Sequence, residues 1–396
     1  MAQSAKLIGI GAAGNKAAIA AIEKGVIDPQ KVLLLNSTLK DIPSKYKDYA
    51  LEFGDVRGCG KERNLAKQMI LQSLQSSQVN LESFMDPEDN FCIIVSSSEG
   101  GTGSGASSII AEYLNDIGVV VHMFVFTGFE DDVRGLKNTV DWFSDLSEDY
   151  VVEAVSNKHF LDSCDGNRTK AEEAANEEFA NRIGILLGNE ICESETNIDD
   201  TDLKKLTQTP GYMTIETCHL TKLKDKDQFN ALMQTMIDDS KSLETEQSAV
   251  RIGVVFNGTD KTKAAIDMGF EIIKKQYGIP IELYFHAQKT LDEEFINIIV
   301  SGMKLPIDDI KGAYDRYQKQ MALVDKAKDS FFDRKFDTEE TDAFNMAGKG
   351  KSGLDKDKLT AAKSSFFAKY GMNNPPQSGN KKEKDSKFSN TTKNEL

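Results

Sequence analysis

The sequence predicts an α/β protein. It should have a doubly wound, mainly parallel sheet, a long central helix, a second, smaller α/β domain, and a long C-terminal helix followed by a flexible tail. Three observations predict it. Short, continuous apolar runs alternate with helical patterns over the first 130 residues, two glycine-rich loops each stand between such a run and a helix, and one long helical stretch separates this alternation from a second set of strands. Strand–helix–strand order of this kind is the mark of a parallel sheet covered on both faces.

The elements follow in order. Residues 6–10, 31–35, 91–95 and 119–126 read as buried strands because they are short, uninterrupted and rich in branched residues. Residues 15–24, 64–75 and 104–115 between them have helical composition. The long helix covers 168–192, with Ala175, Phe179, Ile183, Leu186 and Leu187 on one stripe, as packing between two layers requires. Strand character resumes at 211–219 and 251–256, then a helix at 261–276 and a strand at 281–285. Ile307, Ile310, Tyr314, Tyr317, Met321, Val324 and Phe331 then follow at spacings of three, four and seven, an amphipathic helix whose apolar seam faces either its own body or a partner.

Residues 346–396 carry 11 Lys, five acids and no Arg, a net of +6; with −15 overall, the rest of the chain carries −21. Residues 373–396, rich in Pro, Gly, Ser, Asn and Lys, are expected to be disordered, and 359–370 to form a short helix with Phe366 and Phe367 as its apolar element. The overall acidity argues against a surface that coats nucleic acid, but not against a local basic arm. Five cysteines without a CxxC pair and four scattered histidines support neither a zinc site nor a disulfide framework. The N-terminus makes a poor secretory signal, and the longest apolar run, 117–126, is about half a membrane span, so a cytoplasmic protein with no membrane partner is expected.

Chemistry concentrates in the glycine loops. Gly9-Ile10-Gly11-Ala12-Ala13-Gly14 lets backbone N–H groups approach a phosphate at a helix N-terminus. It is a formal dinucleotide fingerprint, so an NAD-dependent oxidoreductase is one reading. However, the second strand ends at Asn36 rather than at an acid able to take a ribose hydroxyl. An ATPase phosphate loop fails because Asn15 stands where Lys is needed, and Gly350-Lys351-Ser352 lacks both the first glycine and a preceding strand. The second loop, Gly100-Gly101-Thr102-Gly103-Ser104-Gly105, lets successive N–H groups converge on an anion while Thr102 and Ser104 add hydroxyls. Two such loops at neighbouring strand ends imply a polyphosphate ligand.

Gly100–Gly105 resembles the signature loop of the tubulin/FtsZ superfamily of GTPases, with Glu99 standing where that family usually has a small residue. Gly11-Ala12-Ala13-Gly14-Asn15 is similar to the family's first phosphate loop, and Asn36 to the residue that helps hold nucleotide and metal. Gly58-Cys59-Gly60-Lys61-Glu62-Arg63-Asn64 resembles the loop that senses the γ-phosphate, although Lys61, Glu62 and Arg63 would usually be small. Glu130 and Arg134 resemble the acidic and basic pair of the ribose and phosphate loop, Asn157 a second ribose-side position, and Asn176 the asparagine that reads guanine. Asn197-Ile198-Asp199-Asp200-Thr201-Asp202 resembles the synergy loop, which in relatives enters the next subunit's nucleotide pocket and positions the attacking water. Taken alone, Asp199 and Asp202 also suit a helix start.

The resemblance implies a GTP-binding domain (1–166), a connecting helix (167–192), a catalytic loop (193–205), an activation domain (206–303), a long helix (304–345) and a basic tail (346–396). It implies GTP hydrolysed to GDP between subunits of a head-to-tail homopolymer. Mg²⁺ would sit on the nucleotide phosphates, with no direct protein ligand assigned to it. The basic tail resembles that of the plasmid- and phage-encoded prokaryotic tubulins, and most of all the plasmid-partition group called TubZ. In that group the tail engages a DNA-binding adaptor, so contact with DNA would be indirect. Phage-centring and cell-division filaments share the chemistry and remain alternatives.

Overall fold

A computed structural model describes residues 4–54, 58–85, 90–192, 198–220, 226–245, 248–259, 270–289, 293–328 and 356–372. The chain order is β1 (Lys6–Ile10), α1 (Gly11–Glu23), β2 (Val32–Asn36), β3 (Ala50–Glu52), α2 (Arg63–Gln75), α3 (Leu81–Phe84), β4 (Phe91–Ser97), α4 (Thr102–Asp116), β5 (Val120–Thr127) and α5 (Val133–Ser144). It continues through β6 (Val151–Ser156), α6 (Asn157–Ser163), α7 (Arg168–Leu186), α8 (Asp200–Thr207), β7 (Gly211–His219), α9 (Lys226–Asp238) and β8 (Arg251–Asn257). The last elements are the helical residues 270–277 (α10), β9 (Glu282–Gln288), β10 (Phe295–Met303), α11 (Ile307–Lys328) and α12 (Lys356–Lys369).

Ten strands form one sheet in the order β3-β2-β1-β4-β5-β6-β7-β10-β8-β9. All pair in parallel except β10, which runs antiparallel to both neighbours. The sheet is therefore α/β and mainly parallel, as the alternation of runs predicts. Alternate residues of β1 and β4 feed opposite layers. Ile8, Ile10 and Ile94 join Ile70, Ile110 and Trp142 from α2, α4 and α5, while Leu7, Ile93 and Val95 join Ala17, Ala18 and Phe179 from α1 and α7. Burial on both faces is what lets parallel strands read as unbroken apolar runs.

The chain moves outward from β1 through β2 to β3, then returns to place β4 on the other side of β1. The strand order reverses between β1 and β4, and such a switch point leaves a crevice at the strands' carboxyl ends. Both glycine loops stand there. At the other seam, β6 meets β7 through only Val151–Gly211 and Val152–Tyr212.

The α7 stripe is buried at all five expected positions. Its 19 residues run about 28 Å at 1.5 Å per residue. Near its start Arg168 pairs with Asp131 of the loop after β5, and beyond its end Asn189 donates to the Val26 carbonyl, past the C-terminus of α1. The α11 seam splits. Ile310 and Ala313 are buried, whereas Tyr314, Leu323 and Val324 are exposed. Phe331 and the tail segment 373–396 lie outside the described residues. The short tail helix forms as α12, with Phe366 and Phe367 each 1% exposed and Phe366 edge-on to Tyr113 of α4.

Candidate functional site

Close packing shows why these loops are glycine. Gly11 has φ +75°, and a Cβ on it would lie 2.9 Å from Gly103 N. A Cβ on Gly103 would lie 2.8 Å from the Ile10 carbonyl, and one on Gly101 2.8 Å from Glu62 N. The backbones of 10–11, 61–62 and 101–103 therefore touch directly. Gly14 would strike the Val95 carbonyl at 2.2 Å and Gly105 the Arg63 carbonyl at 2.4 Å, so these two glycines seat α1 and α4 against their neighbours. Gly100 meets nothing within 4 Å.

Helix capping sorts the helices into two sets. Asp132, Asn167 and Asp199 cap α5, α7 and α8 through their side chains. The helices that open at or beside the crevice (α1, α2, α4 and α6) have no side-chain cap and no acid in the first turn. Their N–H groups and positive dipole ends are left for an anion. Buried polar atoms lack partners in the same place: Asn15 Oδ1 in α1, Ser96 Oγ at the end of β4 and Asn157 Oδ1 at the start of α6. Asn15 Nδ2 donates to the Leu35 carbonyl, tying α1 to β2. Asn36 is buried, with its Oδ1 accepting from Ser37 N, and Ser37 Oγ stands 3.4 Å from Thr102 Oγ1. Ala12 is exposed and Ala13 half-buried on the first turn of α1.

The 58–64 loop closes the crevice from one side, with Gly60 and Lys61 at positive φ and Asn64 exposed on α2. Its charges are already spoken for. Lys61 pairs with Asp132 and holds that carboxyl below its usual range, while Glu62 pairs with Arg134. Arg63 is buried, donating to Ser104 Oγ at 2.8 Å and pairing with Asp145. Ser104, fully buried beneath that guanidinium, braces α4 against α2. Glu130 sits at φ +61° and pairs with Lys158 and with Arg316 of α11.

Glu99 has a structural task that its position in the loop did not reveal. Its Oε1 accepts from Glu130 N at 2.9 Å, and its carboxyl fills the space a Cβ on Gly128 would need, 1.8 Å away. It thus ties the second glycine loop to 128–135, and burial pushes its carboxyl up. Asn138 also escaped the sequence: Nδ2 donates to the carbonyls of Lys61, Glu99 and Gly100, clamping two loops. The only available sign was an asparagine on the buried face of an amphipathic helix.

The remaining candidates stand apart. Asn176 is half-buried on α7, one turn from Glu172, which pairs with Lys16 beside Asn15. Asp199 caps α8 by accepting from Asp202 N at 2.8 Å, and Asp202 is half-buried in the first turn. Both follow the far end of α7, and α8 packs on β8 and β10. Asn197 lies outside the described residues. Among the described residues there is no group of three or more His, Cys, Asp or Glu side chains that could hold a metal ion. No described helix is long and apolar enough to cross a membrane.

This architecture is the tubulin/FtsZ fold. The similar solved structures include CetZ2 from Haloferax volcanii as a GTPγS-bound protofilament (TM-score 0.65, 18% identity, 82% of this chain and 100% of that one). They also include TubZ of Bacillus thuringiensis serovar israelensis as a GTPγS-form protofilament (TM-score 0.65, 16% identity, 83% and 94%). A third is TubZ of Clostridium botulinum phage c-st with its C-terminal tail truncated (TM-score 0.62, 16% identity, 81% and 97%). In sequence, the chain is 22% identical over 311 residues to the cell division protein FtsZ of Mycoplasmopsis pulmonis, covering 75% of this chain and 77% of that protein. No protein-family model matches the chain.

Proposed function

We propose that this chain is a GTP-hydrolysing, tubulin-like protein that polymerises head to tail and completes its hydrolytic site between subunits. One observation carries the reading: the anion-ready loops and the Asp199–Asp202 acids occupy different ends of one protomer. The glycine loops open at the start of α1, whereas the chain reaches Asp199 only after running the length of α7 and passing Val26. Stacking two copies end to end would bring acids of one to the loops of the next. That the CetZ2 and TubZ neighbours were solved as protofilaments supports this assembly.

In this reading the backbone N–H groups of 11–15 and 100–105 bind the phosphates, with Thr102 and Ser37 adding hydroxyls. Asn157 takes the ribose side and Asn176 the guanine edge, where an amide offers both donor and acceptor. The loop that follows Asn36 and Glu99 fixes the crevice rim. Mg²⁺, carried on the phosphates beside Asn36, would offset their charge. Asp202 orients the attacking water, and Asp199, half committed to its cap, assists along with Asn197. No carboxylate at the end of β2 favours a dinucleotide, because Asn36 is turned onto Ser37 N.

The tail supports a cargo role. Residues 346–396 carry +6 on an otherwise acidic chain, suited to an adaptor bound to plasmid or phage DNA. The decisive experiment is GTP turnover as a function of protein concentration, with filaments followed by light scattering. The reading expects the rate per subunit to rise steeply where scattering begins. A full rate in a dilute, demonstrably monomeric sample would overturn it.

A further inference from the structure

Asn138 lies 5% exposed on α5, and its one side-chain amide holds three backbone carbonyls. Nδ2 donates to Lys61 O at 3.0 Å, Glu99 O at 3.0 Å and Gly100 O at 3.2 Å. We propose that Asn138 is a positioning residue that makes the crevice prefer a nucleoside triphosphate to the diphosphate, by fixing the 58–64 loop against the second glycine loop. The inference rests on the GTP-binding reading above and adds a specificity determinant to it.

The three bonds decide which way the loop amides face. In a trans peptide the N–H points opposite to the C=O. Turning the Glu99 and Gly100 carbonyls onto Asn138 therefore turns the Gly100 and Gly101 N–H groups away from α5, and neither donates to a protein acceptor among the described residues. The third bond fixes the peptide between Lys61 and Glu62, whose N–H is held from the other side by Cys59 O at 2.7 Å. Lys61 sits at φ +63°, a conformation that an L-residue leaves readily unless something holds it. Three carbonyl oxygens drawn to one point repel one another, and a donor between them keeps them there.

The mount is rigid. Next to Asn138, Thr139 Oγ1 meets Ser98 Oγ at 2.8 Å, and the fully buried Trp142 donates from Nε1 to Ser107 Oγ of α4 at 3.0 Å. Residues 61 and 62 are otherwise tied by the pairs Lys61–Asp132 and Glu62–Arg134, whose four side chains are about half-exposed, and surface pairs are weak. Arg63 braces α2 itself, on Ser104. Just past the clamped peptide, α2 opens with no side-chain cap and no acid in its first turn, as α1 and α4 do. In this reading the two glycine loops take the inner phosphates, so the terminal one falls to α2 and depends on where the 58–64 loop stands.

The test is the affinity ratio of GTPγS to GDP, read by competition against a fluorescent guanine nucleotide with the full chain kept dilute, below the onset of scattering. The parent should prefer GTPγS. Asn138→Asp, equal in shape with its donors replaced by acceptors, and Asn138→Ala should each narrow that preference at least about tenfold, mainly through weaker GTPγS binding, the weight of one or two hydrogen bonds. Cys218→Ala, a buried truncation on β7 three strands from β4, should lower the urea midpoint and keep the ratio, which separates positioning from loss of stability. Where Asn138→Asp fails to fold, Asn138→Ala decides. A parental ratio in the Asn138 variants overturns this role and leaves the reading of the crevice standing. A parent that binds both nucleotides alike overturns the selectivity, and one that binds neither overturns the reading itself.

Discussion

Replacing Gly11 by alanine should damage both stability and nucleotide binding, and the structure sets the scale. Gly11 holds φ +75°, a region that costs an L-residue roughly 1–2 kcal/mol. The new Cβ would sit 2.9 Å from Gly103 N and 3.1 Å from Gly103 Cα, both backbone atoms that cannot swing aside. Ordinary contact begins near 3.4 Å, so the two loops must part by several tenths of an ångström. Overpacking of this kind adds about 1–3 kcal/mol. The sum, about 2–5 kcal/mol, should appear as a lower urea midpoint with an unchanged slope. Misplacing the phosphate-facing amides by such a distance should cut GTP affinity by up to about 10²-fold. Gly100→Ala is the internal control, since its Cβ meets nothing within 4 Å and its φ is ordinary; it should stay within about 0.5 kcal/mol. If the two variants match in urea midpoint and in GTP affinity, direct backbone contact between the loops is not what glycine serves here.

Four further outcomes are expected. Asp202→Asn should bind GTP like the parent, lose turnover by on the order of 10²-fold or more, and leave filaments that persist in light scattering; parental turnover would remove Asp202 from the mechanism. Phe366→Ala should cost about 3–5 kcal/mol in urea unfolding, because the ring is 1% exposed and packed 5.2 Å from Tyr113; a change below about 1 kcal/mol would mean α12 does not sit on α4 in solution. Glu216 keeps its proton to higher pH folded than unfolded. Its contribution to stability is therefore present below the usual glutamate range and lost as pH rises through the raised folded value, so Glu216→Gln should show a flatter profile of urea midpoint against pH over that window. Deleting 373–396 should leave GTPase activity intact and abolish co-sedimentation with adaptor-bound DNA; unchanged co-sedimentation would dismiss the tail as the cargo contact.

How legible each part was depended on whether its cause is local. The glycine loops were readable because a φ of +75° at Gly11 and a 2.2 Å approach at Gly14 leave a permanent mark on residue choice. The α7 stripe was readable because a helix between two layers must repeat its apolar face. Helix starts were placed late, at 15 and 104 instead of Gly11 and Thr102, because glycine reads as loop although here it opens the first turn. β6 and β10 went unread. β10 is buried on both faces as the one antiparallel strand among the described pairings, and such an apolar run resembles a helix segment when periodicity alone is consulted. Pairings across long separations left no trace. Nothing near residue 182 signals that Arg182 will be 1% exposed against Glu153, or that Glu99 will fill the place of a side chain on Gly128.

The same long-range pairings decide how phosphate charge can be met. Extra cations at Lys61 and Arg63 would suit a γ-phosphate if they were at liberty, yet each is matched by an acid of α5 or its cap, Asp132 and Asp145. Arg134 is matched by Glu62, and Lys158 and Arg316 by Glu130. Arg63 is moreover 6% exposed and bonded to Ser104, so withdrawing it would leave the buried Ser104 hydroxyl without that donor, whereas Asp145 would keep Lys67 at 2.8 Å. The side-chain cations at the rim thus hold the loops to one another, and in the proposed reading it is the uncapped amides of α1 and α4, with a metal ion on the nucleotide, that would meet the phosphates. Lys61 and Arg134, each about half-exposed and each paired with an exposed carboxylate, are the rim cations that would exchange partners most cheaply in the proposed reading, since a surface pair is worth at most about 1 kcal/mol.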